Sequence, residues 1–160
     1  MAKHKNAPVK IKIADAFDNG KSEIESLKEE IESWAENLEG NEGLSQTEKC
    51  QQVRDCADLL ETAMQSLEEA ESSITEDAIK KKYEAVEIEY TEMVPYKGRG
   101  FPRWMRSNNA VTALEAVRDK IESDTKDEKD VAVKNTMESI LESIDSAIGE
   151  LSNADYPGMF

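Results

Sequence analysis

The sequence predicts a mainly α protein of the α+β class, with two antiparallel helical hairpins and a small two-stranded β-ribbon in the order β-α-α-β-α-α. Four long segments repeat apolar residues at alternating steps of three and four, which gathers them on one helix face. A short polar turn joins the members of each pair, and helices joined that way fold back on each other. Ahead of each pair stands a brief run in which apolar and charged residues alternate, the period of a half-buried strand.

Residues 1–8 read as a flexible lead. VKIKI, 9–13, turns Val9, Ile11 and Ile13 to one side and Lys10 and Lys12 to the other. The first helix follows in SEIESLKEEIESWAENL, where Ile24, Leu27, Ile31, Trp34 and Leu38 form a seam of coiled-coil type. Ser22 with Glu25 makes a capping box at its start, and Gly40 stands where such a helix ends. The second helix opens on the same box at Ser45 and Glu48. Its seam is Val53, Cys56, Leu60, Ala63, Leu67, Ala70 and Ile74, widened by Ala57 and Met64. ITEDAIKKKYEA suits a short extra helix. VEIEY, 86–90, turns Val86, Ile88 and Tyr90 inward and Glu87 and Glu89 outward, the charge complement of the first strand. Each opposite-charge pair across the ribbon contributes roughly 0.2–1 kcal/mol. The third helix, capped by Ser107 or Asn108, carries Ala110, Leu114, Val117 and Ile121. After SDTKDEKD the fourth carries Val133, Met137, Ile140, Ile144, Ala147 and Leu151. NADYPGMF, 153–160, is an exposed, non-helical tail. One domain thus spans 1–160, with β-α-α units at 9–74 and 86–152. A two-stranded ribbon is marginal alone, so it must lie on the helices or pair with a second copy, which would make a homodimer.

Composition narrows the function. At 160 residues a domain buries roughly 70% of its unfolded surface, enough for a core without staples. No apolar run approaches the roughly 18 residues of a spanning helix, and the basic start has no apolar signal region, so the expectation is a cytoplasmic protein with no membrane partner. Cys50 and Cys56, six apart on one helix, point to different sides and cannot bridge locally; they read as buried free thiols. With His4 the lone histidine, neither a metal site nor a Ser-His-Asp set can be assembled, and no cofactor motif is present. The expectation is a protein without catalytic activity.

Charge is segregated. The formal net charge is −15, yet residues 1–14 and 93–114 hold bases and no acid. The second island contains YKGRGFPRWMR, 96–106, which reads as a loop entering the third helix. Lys97, Arg99, Arg103 and Arg106 offer forks for phosphate or carboxylate, Phe101 and Trp104 offer stacking faces, and the glycines let a ligand approach the backbone. The unpaired amides expected around Ser107 to Ala110 would add a pull on anions. The segment lacks the GxxxxGK[ST] of a phosphate loop. Three readings follow: an internal clamp on the acidic helices, a nucleotide or single-stranded nucleic-acid site, and a hot spot for a protein partner.

The acidic helices are the second feature. Glu25, Glu29, Glu32 and Glu36 face away from the first seam and create a negative surface that repels nucleic acid and attracts basic grooves. Helical charge runs also serve solubility alone. ESLKEEIESWAENLEGNEGLSQTEK, 25–49, resembles a segment of small acidic helical accessory proteins encoded by tailed bacteriophages. The resemblance implies a phage-encoded protein acting in the host cytoplasm. It brings no functional residue, because the group carries no established activity or site.

The sequence therefore points to a non-catalytic acidic interaction protein whose partner is a basic or DNA-binding protein; if phage-encoded, it inhibits a host or defence protein by mimicking DNA. The alternative is nucleotide or single-stranded nucleic-acid binding at 96–106. A second alternative is a structural component of a homo-oligomeric or virion assembly, with the basic loop docked on a neighbour's acidic body.

Overall fold

The computed structural model describes residues 4–157 and shows a mainly helical fold with one antiparallel ribbon. In chain order these are β1 (His4–Lys12), α1 (Ile13–Glu39), α2 (Glu48–Ile74), α3 (Asp77–Tyr83), β2 (Glu87–Pro95), α4 (Arg103–Thr125) and α5 (Val131–Asn153). The long helices follow the expected seams, and the ambiguous ITEDAIKKKYEA segment supplies the short α3.

The two hairpins pack as one four-helix bundle in which α1 and α5 each touch both α2 and α4. Cross-links give the directions. Arg106 reaches Glu23 while Arg103 reaches Glu30, so α4 descends as α1 rises. Arg118 reaches Asp145 from α4 to α5, and Ser66 meets Ser146 from α2 to α5. Neighbouring helices all run antiparallel, which opposes their dipoles. The core is continuous, from Phe17, Leu27 and Ile31 through Leu60 and Leu67 to Leu114, Ile121, Met137 and Ile144.

The ribbon pairs His4 with Pro95 through Lys12 with Glu87. Lys10 therefore stands opposite Glu89, with Nζ 3.9 Å from a carboxylate oxygen. Ile88 and Tyr90 are buried, and the ribbon lies along α4. Asn109 fastens it there: the Met93 N–H donates to Asn109 Oδ1 and Asn109 Nδ2 donates to the Met93 carbonyl, both at 2.8 Å. The side-chain amide thus takes the place of one more strand residue at the β2 edge.

Several boundaries move. α1 begins at Ile13 rather than Ser22, so Ser22 and Glu25 lie inside the helix and cap nothing, and Ile13 leaves the strand to join the core. The seam extends back through Ala16, Phe17 and Gly20; a Cβ on Gly20 would sit 3.1 Å from Leu114 Cγ, so this glycine sets how closely α1 and α4 approach. Ala35 takes the buried step expected of Trp34, which lies at the bundle's edge. Thr47 caps α2 instead of Ser45, because Ser45 is held in a turn by its N–H on the Asn41 carbonyl and Thr47 Oγ1 accepts from the Cys50 N–H. Residues 4–8 belong to β1, a paired strand in place of a flexible lead. In the tail, Ala154–Pro157 is non-helical but largely covered: Ala154 and Tyr156 pack on the core and Pro157 is buried, with Asp155 exposed, while residues 1–3 and 158–160 lie outside the described residues.

Candidate functional site

The structure divides the basic segment in two. α4 begins at Arg103, so the loop is residues 96–102, and Arg103, Trp104 and Arg106 stand on the first helical turn. The amides around Ser107 to Ala110 are therefore interior to the helix, with Ser107 and Ala110 buried, and offer no anion site. A helix turn brings Arg103 and Arg106 to one side. On α1, Glu23 and Glu30, seven residues apart, meet them.

Arg106 bonds Glu23 through Nε and Glu30 through Nη2 at 2.7 Å, and Arg103 Nε lies 3.3 Å from the second Glu30 oxygen. The Arg103 guanidinium also sits over the Trp34 ring at 5.4 Å, and Lys49 approaches that ring at 5.5 Å. A hydrogen bond from Arg106, ahead of the opposing cost of burial, holds the Glu30 carboxyl below the usual carboxylate range. These two arginines clamp the bundle, and their charge is spent internally.

Lys97 and Arg99 are different. Both are exposed, and among the described residues neither pairs with a carboxylate. Tyr96 to Arg99 form a tight turn in which the Arg99 N–H donates to the Tyr96 carbonyl at 3.0 Å and Gly98 takes a φ of 89°. A positive φ at the third turn position favours glycine or asparagine, so Gly98 fixes a turn that carries Lys97 at its apex and Arg99 at its exit. Around them Tyr96, Phe101 and Trp104 keep 44%, 51% and 46% of their surface exposed. Together with Leu44 and Val131 these are the exposed large apolar residues among the described ones, and three of the five fall within nine positions. Trp104 is steadied by an edge contact with His4, centroids 6.1 Å apart.

Phe101 stands between two recesses. One, about 510 Å³, is lined by Pro95, Arg99, Phe101, Pro102, Trp104 and Met105 and is largely apolar apart from the guanidinium. The other, about 600 Å³, lies between α1, α4 and β2, and Ser22, Glu23, Ser26, Glu92 and Arg106 make it polar. Tyr90, on its wall, has a buried hydroxyl without a hydrogen-bond partner.

The expected acidic face is present as geometry. Glu25, Glu29 and Glu36 are exposed and make no ion pair among the described residues, and Glu32 is held by Lys28 at 2.8 Å. Glu61 of α2 acts on the same Lys28, which places it beside this stripe. Cys50 and Cys56 are buried and unbridged, and burial pushes the Cys56 thiol up to about 11. Among the described residues no three His, Cys, Asp or Glu side chains gather as metal ligands, and no helix is long and apolar enough to cross a membrane.

Of the six nominated basic and aromatic residues, the fold thus brings Lys97, Arg99, Phe101 and Trp104 together at an exposed tip and turns Arg103 and Arg106 inward. Sequence reasoning left out Tyr96, although it opens the quoted segment, and the clamp partners Glu23, Glu30 and Trp34. A heptad of acids one step off the α1 seam, facing arginines three apart, was the available signal. Comparison with protein-family models, curated proteins and solved structures finds no match to this chain.

Proposed function

We propose that this chain is a non-catalytic interaction protein that presents the carboxylate face of α1 to a basic groove on a nucleic-acid-binding protein. The observation that carries the reading is the sorting of acids on one helix: Glu23 and Glu30 are neutralised by α4, whereas Glu25, Glu29 and Glu36, on the outer side, are left free. The outer stripe has steps of four, three and four residues, or about 6, 4.5 and 6 Å along the axis. With Glu32 tied to Lys28 the free charges fall about one per 8 Å, sparser than a duplex's one per roughly 1.7 Å or a single strand's 3.4 Å. Glu61 starts a second row, so the hairpin face rather than the single stripe is the mimic. The resemblance of residues 25–49 to phage accessory proteins supplies the setting, inhibition of a host or defence protein in the host cytoplasm.

The test is displacement. Host DNA-binding proteins held on a DNA column should elute with the protein but not with its variant carrying Gln at 25, 29, 32 and 36. Equal elution by the two proteins, or by polyglutamate of matched charge, overturns the reading.

A further inference from the structure

The carboxylate face leaves the tip unexplained, and the tip carries its own argument. Exposed aromatics are individually unremarkable, but a cluster around an apolar recess marks a surface meant to be covered. Its two cations are free, and the apolar recess is lined by the Arg99 guanidinium and by no carboxylate, Glu92 lying behind Phe101 and Glu23 being held by Arg106, so the local field at the recess is positive despite the acidic body. At physiological salt charges more than about 8 Å apart are largely screened, which lets that local field decide.

From this geometry we infer that the tip binds a short stretch of single-stranded nucleic acid. One base enters the recess lined by Phe101 and Trp104, a neighbour stacks on Tyr96, and the phosphates lie on Arg99 and Lys97. The polar recess behind Phe101 holds Glu92, an acid without an ion pair among the described residues, which fences the backbone onto the Arg99 side. A duplex is excluded on two grounds: its bases are already stacked, and its second strand would face the acids of the body. The site is small, about four nucleotides, the lower end for modules that combine stacking with a basic track. It does not depend on the carboxylate face, and either surface can fail alone.

Trp34, whose ring meets Arg103 and Lys49, is the chain's other tryptophan, so a Trp34→Phe protein makes Trp104 the sole tryptophan reporter. Titration with oligothymidylate of about four nucleotides should quench it. With two phosphates neutralised, log K should fall against log salt with a slope of about −1.4, not the roughly −2.8 that four cations would give. Lys97→Ala should reduce the slope by about 0.7, and Phe101→Ala should cost about tenfold or more in affinity. Melting temperatures of both variants, followed in parallel, should stay near the parent's, which separates lost binding from lost fold. Absence of quenching, equal quenching by a duplex of the same length, a slope unmoved by Lys97→Ala, or full competition by an acidic aromatic peptide each overturns the inference, the last assigning the tip to a protein partner.

Discussion

Replacing Arg106 by alanine tests the clamp most directly. The side chain is 19% exposed and holds two glutamates, each of them somewhat over one-third exposed. Exposed ion pairs contribute about 0–1 kcal/mol and hydrogen bonds to charged groups about 1.5–3 kcal/mol. Partners this wet sit toward the lower range, so the two contacts together are worth about 2 kcal/mol. For a chain of this length each kcal/mol moves the midpoint by roughly 2–4 °C, which predicts a melting temperature about 4–8 °C lower by circular dichroism. Raising the salt to about 1 M should narrow the gap without closing it, because part-buried pairs are screened incompletely. The pH dependence has a definite sign. Arg106 lowers the Glu30 carboxyl from its ordinary 4.5. Between the lowered value and 4.5 the unfolded chain binds a proton that the folded chain sheds. The clamp's contribution is therefore complete above 4.5 and is lost as the pH falls through the lowered value, where the melting curves of parent and variant should converge. A variant that melts with the parent at neutral pH and instead loses oligonucleotide quenching would refute the assignment of Arg106 to the interior.

Asn109→Ala should leave the Met93 N–H and carbonyl without partners at a cost of about 1–3 kcal/mol, and hydrogen exchange should show the Met93 amide losing protection before the bundle helices do. Leu60→Ala, at a fully buried position, should cost about 2–5 kcal/mol in a denaturant titration read by circular dichroism. Cys56 should react with a thiol reagent no faster than the bundle opens, since it is both buried and held protonated; rapid labelling of the native protein would contradict that. The variant with Gln at 25, 29, 32 and 36 should melt higher than the parent at low salt, because it relieves part of the self-repulsion behind a net charge of −15, and the difference should vanish as salt is raised.

The bundle was legible because its information is periodic. The seams from Val53 to Ala70 and from Met137 to Leu151 are buried as the spacing requires. Ribbon pairing followed from charge complementarity, which set Lys10 and Lys12 opposite Glu89 and Glu87. Boundaries were harder, for a physical reason. IADAFDNGKS contains aspartates, asparagine and glycine, residues that lower helix propensity, but the packing of Phe17 and the close approach at Gly20 outweigh that preference. α4 likewise starts early, on Pro102 as an extended N-cap with no side-chain cap, because the arginines of its first turn find acids waiting on α1. Whether each arginine faced α1 or solvent depended on the crossing of two helices, and a single chain's local pattern does not encode that crossing.

Charge sorting on α1 links the clamp to the tip. Moving seven residues along this helix returns to nearly the same side, so Glu23 and Glu30 share a face, whereas Glu25 and Glu29 look outward. α4 can neutralise the first pair only by committing Arg103 and Arg106, and that commitment removes two of the four cations from the tip. The same contact thus stabilises the bundle and limits the tip to Lys97 and Arg99. If Glu23 and Glu30 are changed to Gln, the clamp should loosen while Arg106 loses both of its carboxylates in the recess behind Phe101. Oligonucleotide affinity should then rise and its salt slope steepen from about −1.4 toward about −2.1, the three-cation value, as stability falls. Stability and tip affinity moving in the same direction would show that clamp and tip are not coupled through α4.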